Sequence, residues 1–244
     1  MKISYNAVWA DAMNLLRAHG SLVATVAAAF ILLPWLLVAY FLPPPETTDP
    51  TRMWEAMAEY YTSNWPWLLL NNIVAMVGAA AVLMLIFRRG ITVGGAIAAA
   101  VAILPFYFLA SLLSSLIMMA GLLLLIIPGL YLFGRLATVT TIVVAEDRRN
   151  PVDAIRRSFD LTRGNGWAIL GLVLLVAIAA VVVTSVVTWL FGILFVLVAG
   201  QDLAATLVLI LRAAGNAAAA CLLLLLVAAI YRQLGAGPSA AAVD

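Results

Sequence analysis

The chain has 244 residues, of which 66% are apolar and only 10% charged, with 13 Lys and Arg against 11 Asp and Glu. A soluble domain carries about 25% charged residues, so charge this sparse cannot cover a water-facing surface, and lipid must solvate much of the molecule. The single cysteine, Cys221, excludes an internal disulfide and a cysteine metal cluster, and the single histidine, His19, has no ligating partner at matching depth.

Residues 4–18 read as an amphipathic helix suited to the membrane interface, with Val8, Met13, Leu15 and Leu16 apolar and Asp11, Asn14 and Arg17 polar. The first span is Ser21–Leu42, roughly 33 Å long at 1.5 Å per residue, and Pro34 is expected to kink it. It is too long for a signal-peptide core, and no small-residue cleavage site follows before Pro43-Pro44-Pro45, so it is expected to be retained. The segment 43–64 is acidic, with Glu46, Asp49, Glu55 and Glu59 against Arg52. Within it Trp54–Tyr61 predicts a short helix, and Tyr60, Tyr61, Trp65 and Trp67 mark an interface belt.

Span two is Pro66–Phe87, closed by Arg88-Arg89-Gly90. From Ile91 to Ala145 the only charge is Arg135, and the run suits two crossings. Residues 92–102 predict a second interfacial helix, and span three starts near Ile103-Leu104-Pro105. The turn into span four falls at Ala120-Gly121 or at Pro128-Gly129.

Glu146–Arg163 is the most charged stretch. Asn150 as cap and Pro151 at the first helical position start a helix that Gly164 stops. Val152, Ile155 and Phe159 share one face of it, and Asp153, Arg156, Arg157 and Asp160 fill much of the rest. That pattern predicts an amphipathic helix on the membrane surface with its arginines against anionic headgroups; an orientation signal without a ligand is the other reading. Span five runs from Trp167 to about Leu190, with apolar character continuing to Gly200. Gln201 and Asp202 then turn into span six, Ala205–Tyr231. Residues 1–234 form one integral membrane domain, and the Gly/Ala/Pro/Ser-rich stretch 235–244 is expected to be a disordered tail. Thr92–Ile97 resembles Asn150–Ile155, each close behind an arginine pair, which suggests repeated units of a short helix followed by a hairpin of spans.

Six spans place Lys2, Arg17, Arg88, Arg89, Arg148, Arg149, Arg156, Arg157, Arg163 and Arg232 on one side and the acidic 43–64 segment on the other. By the positive-inside rule the basic side, with the N-terminus and the C-terminus, is cytoplasmic.

Arg135 is the one charge well inside a span, where an arginine costs several kcal/mol unless it is paired or solvated. A structural pair and a ligand-binding group are both open readings. Thr138, Thr140, Thr141 and Tyr131 are local candidates to enclose it. Asn71, Asn72 and Asn216 also lie in spans, where such groups bond across helices or line a path, and Arg212 sits near the outer end of span six with Asp202 as a candidate partner. The sequence carries no phosphate loop, nucleophile elbow, HExxH or acidic residue within a span. No catalytic site, metal, cofactor or nucleic-acid partner is therefore expected, and carboxylate-driven proton transport is disfavoured.

Ile126-Ile127-Pro128-Gly129-Leu130-Tyr131-Leu132 followed by Arg135, then Asn150–Ser158 and Leu161–Trp167, resemble a group of bacterial membrane proteins, the YciC-like, glycerophosphoryl diester phosphodiesterase membrane-domain family. The resemblance covers residues 91–167. It implies the membrane module alone, because in fused members the phosphodiesterase is a separate barrel of about 250 residues with histidines and an acidic metal cluster. It also implies a helix break at Pro128 and Gly129 ahead of Arg135. The expectation is a non-enzymatic, all-α protein of the bacterial inner membrane with about six transmembrane helices plus short interfacial helices. It would bind anionic lipid headgroups or a membrane-protein partner through Arg135, Arg156, Arg157 and Arg163. A role in transport or translocation of a lipid or small solute is the alternative.

Overall fold

A computed structural model describes residues 2–45, 49–88 and 90–235, which are helical with no strand among them. Six helices are long and apolar enough to cross a membrane. The protein is an all-α, multi-pass membrane protein. The part of the expected tail beyond Gly235 lies outside the described residues, as do Glu46, Arg89 and the side chain of Asp202.

Helix α1 is Tyr5–Phe41. The interfacial helix expected at 4–18 is therefore not separate from span one. Val8, Ala12, Leu15, Val23 and Val26 are all buried at helical spacing on one helix that runs unbroken through Gly20. Ahead of Pro34 the helix widens into a π-helical turn at Ala28–Leu32. The proline ring has no N–H and crowds the carbonyl four residues back, and a wider turn relieves that crowding.

Helix α2, Pro50–Phe87, likewise absorbs the short helix expected at Trp54–Tyr61 and passes through Pro66. Trp54, Tyr61, Trp65 and Trp67 are exposed along it, as a belt at a membrane surface would be. The Tyr60 hydroxyl donates to the Leu42 carbonyl at 2.8 Å and ties the two ends of the connection together.

Helix α3, Val93–Leu124, begins at Thr92, whose hydroxyl accepts from the Gly95 N–H at 3.1 Å. Residues 92–102 are thus the first turns of span three rather than an interfacial helix. Ala96, Ala100, Ile103, Tyr107 and Ala110 form one buried stripe through Pro105. The chain reverses at Leu125, which is extended (φ −159, ψ 139). This corrects the break expected at Pro128 and Gly129, which lie in the first turn of α4, Ile126–Leu136. The physical reason is Pro128 itself: its ring clashes with the carbonyl of residue 124, so α3 must end before it, and proline is tolerated only in a new first turn. Gly129 then packs so closely on α3 that an added Cβ would lie 2.6 Å from the Leu122 nitrogen.

After a turn at Ala137-Thr138, helix α5, Val139–Ala145, completes span four, and α6 is Pro151–Leu161. Gly164 (φ 79) stops α6, as its position foretold. Helices α7, Gly166–Val198, and α8, Leu203–Gly235, are joined through Gly200 at φ 78, ψ 171, a conformation open only to glycine. Span five therefore continues eight residues past Leu190 before it reverses.

One buried cluster draws on every helix from α1 to α8. The arginine-rich connections meet at one end of the bundle. Arg232 of α8 pairs with Asp11 of α1 at 3.3 Å, Arg88 after α2 reaches Asp147 at 3.9 Å, and the Phe87 and Tyr231 rings meet edge to face at 5.4 Å. An even number of spans returns the chain to the side it left, and these contacts close that side.

Candidate functional site

The Asn150 side chain accepts from the Val152 N–H at 3.0 Å, and Pro151 follows at the first helical position, so α6 starts where its sequence dictates. Pro151, Ala154, Ile155 and Ser158 are buried, and Phe159 packs against the same core. The apolar face thus lies on the protein rather than in lipid, contrary to the expected surface helix; of that face only Val152 is exposed. The outcome follows from Ser158 and Thr162, which extend the face of Ile155 with hydroxyls that lipid could not satisfy.

Those hydroxyls meet Arg135. The Ser158 hydroxyl donates to the Arg135 carbonyl at 2.7 Å, and the Thr162 hydroxyl stands 3.2 Å from the same oxygen and 2.6 Å from the Ser158 carbonyl. Since the one Ser158 proton is committed, Thr138 is the donor in its 2.9 Å bond to the Ser158 hydroxyl. The Arg135 guanidinium donates from Nη2 back to the Phe159 carbonyl. It lies over the Phe159 ring at 5.2 Å and the Tyr131 ring at 5.8 Å. Arg135 is 8% exposed, its Nε is buried without a partner, and no carboxylate among the described residues lies within ion-pair distance. A carbonyl and two ring faces take the place of a counter-ion, which makes Arg135 a cross-link between α4 and α6. Of the four residues expected to enclose it, Thr138 and Tyr131 contribute. Thr141 is buried with an unpaired hydroxyl, and Thr140 bonds to Tyr107 instead.

Close backbone packing holds this arrangement. An added Cβ at Gly134 would fall 2.1 Å from the Gly166 carbonyl oxygen, and one at Gly166 would fall 2.6 Å from Tyr131 and 3.0 Å from Arg135. Neighbouring Asn165 is buried, and its Oδ1 accepts from the Ile3 N–H at 3.0 Å, pinning the start of the chain to the start of α7.

Glu146 organises the second half of the site. It accepts from Arg148 at 2.6 Å, Arg157 at 3.1 Å and the Tyr231 hydroxyl at 3.1 Å. Partial burial pushes its carboxyl up, but the hydrogen bonds from Arg148, Arg157 and Tyr231 and the charge of Arg157 outweigh that. The net pKa lies below the ordinary carboxylate value.

The four candidate arginines therefore divide. Arg135 is engaged inside the protein and Arg157 is paired with Glu146 while half-buried, whereas Arg156 and Arg163 are exposed, with Arg149 alongside in the chain, and form no ion pair among the described residues. Asn71 and Asn216 do not join Arg135: Asn71 lines a groove between α1 and α2, and Asn216 one between α7 and α8. Ser158, Thr162 and Glu146 escaped the sequence reading. The signal for the first two was present, since hydroxyls three and seven residues after Ile155 continue its stripe.

Residues 48–234 match the model of a protein family described as Domain of unknown function (DUF7847). No curated protein and no solved structure matches the chain.

Proposed function

The chain belongs to this family, and from the geometry of its arginine-rich end we propose that it is a non-enzymatic protein of the bacterial inner membrane that holds anionic lipid headgroups at its cytoplasmic face. One observation carries the reading: α6 is locked inward through Arg135, Ser158 and Thr162, which presents Arg156 and Arg163 outward in a fixed place. Exposed Trp167, four residues after Arg163, is the kind of residue that settles at headgroup level. The resemblance of 91–167 to the YciC-like membrane module supports the same picture, with the basic side in the cytoplasm.

The test is lipid selectivity in reconstituted bilayers. Spin-labelled phosphatidylglycerol should associate with the protein more than spin-labelled phosphatidylcholine, and the preference should fall with salt. Each arginine near the surface contributes about 1 kcal/mol, so the Arg156→Gln, Arg163→Gln double variant should lose most of the preference. Equal association of the two lipids with the unaltered protein would sink the proposal.

A further inference from the structure

At the opposite end of the bundle, α7 and α8 enclose a groove of about 750 Å³. Its register is fixed on both sides. A Cβ on Gly215 would lie 2.5 Å from Thr184, and one on Gly192 would lie 3.4 Å from Val208. Midway between these antiparallel contacts, Thr188 falls opposite Arg212. Both line the groove, together with Thr184, Ser185 and Asn216.

Among the described residues, two observations mark this place as open to a ligand. The Thr188 hydroxyl is buried and has no hydrogen-bond partner among the described residues. Arg212 is exposed and makes no hydrogen bond or ion pair among the described residues. Arg212 stands nine residues into α8, about 14 Å along its axis, so its head lies within the depth of a bilayer leaflet. A helical side chain leans toward the N-terminus of its helix, which here is the α7–α8 turn, the direction of the membrane surface. The rest of the wall is apolar and outward-facing, with Val181, Trp189, Ile193 and Leu197 exposed.

We propose that this groove binds the phosphate of an anionic phospholipid between Arg212, Thr188 and Asn216, with an acyl chain along the Trp189–Leu197 wall. The chemistry selects that occupant. A guanidinium and a hydroxyl donate to phosphate oxygens, the cation offsets the anion in a medium that solvates neither, and the lateral opening to lipid admits chains that a free anion does not have. The proposal shares only its ligand class with the reading of Arg156 and Arg163, and it places that ligand in the other leaflet.

The experiment uses the full chain in phosphatidylcholine nanodiscs carrying a photoactivatable phosphatidylglycerol, with cross-links mapped to peptides. Label should concentrate on 181–197 and 205–216. It should fall roughly ten-fold in Arg212→Gln, the loss expected for one charge-assisted contact, and by less in Thr188→Val. Arg156→Gln with Arg163→Gln should leave it unchanged, so a failure of either lipid site reads out separately. A diacylglycerol probe with the same chains should not enrich there. Should Arg212→Gln fail to fold, Thr188→Val and the wild-type map still decide. The proposal is overturned by equal labelling of unaltered and variant protein, by absence of enrichment at these peptides, or by displacement of the label with millimolar inorganic phosphate, which would make the ligand a free anion.

Discussion

The Ser158 hydroxyl donates to the Arg135 carbonyl at 2.7 Å while the Arg135 guanidinium donates to the Phe159 carbonyl, so one residue both accepts from α6 and donates to it. Removing the guanidinium with Arg135→Leu should therefore destabilise the fold by about 2–4 kcal/mol, seen as a lower melting point and lower folded yield in detergent. Ser158→Ala should cost about 1–2 kcal/mol. Because the two share one junction, the double variant should lose less than the sum. An Arg135→Leu protein with normal yield and melting point would show that this junction carries no stability.

The six spans were legible because hydropathy and arginine placement are local and redundant along the chain. Helix ends at the membrane surface were not. The chain stays helical from Tyr5 to Phe41 and from Val93 to Leu124, so composition that looked interfacial belonged to the same helices as the spans. Arg135 was legible as a residue that needed a partner. The partner itself was not, since it lies 24 residues later on another helix, and a main-chain carbonyl leaves no mark in a sequence. The same gap explains α6: an isolated peptide would expose Ile155 and Phe159, of which the whole protein buries the first and packs the second against its core.

Gly134→Ala should be among the most damaging small changes in the chain, because its new methyl would meet the Gly166 carbonyl, which is backbone and cannot rotate away. A loss of about 1–3 kcal/mol is expected, with Gly94→Ala, where a Cβ meets nothing, as the neutral control. Thermal unfolding of the two variants side by side checks this; equal melting points would contradict the close packing of α4 on α7.

Acid should loosen the arginine-rich end. Glu146 has a folded pKa below its unfolded value of about 4.5, so the stability it supplies is present at neutral pH. That stability is lost as pH falls through the ordinary carboxylate range toward the lower folded value. Glu146→Gln should lower stability at pH 7 by roughly 0.5–1 kcal/mol, the range for ion pairs open to solvent, and should flatten the acid limb of the stability profile. An unchanged acid limb would assign the pH response to other groups.

Reporter fusions address orientation. A cytoplasmic reporter at Asp244 should be active and one inserted within 49–60 inactive, with the reverse for a periplasmic reporter. Both positions reading the same side would mean that the number of crossings after α1 is even, not the five that six spans require.

The hydrogen bond from Ile3 to Asn165 joins groups 162 residues apart in the chain. During synthesis Ile3 emerges long before its anchor exists, and the four spans that end at Ala145 are made before Asn165. Until then the leading edge of α1 has no fixed docking point on α7. Assembly of this protein is thus a delayed closure, in which the segment ahead of α1 is fastened by a residue made 162 positions later. A chain interrupted between span four and residue 165 holds four spans while the segment ahead of α1 still lacks its bond to Asn165.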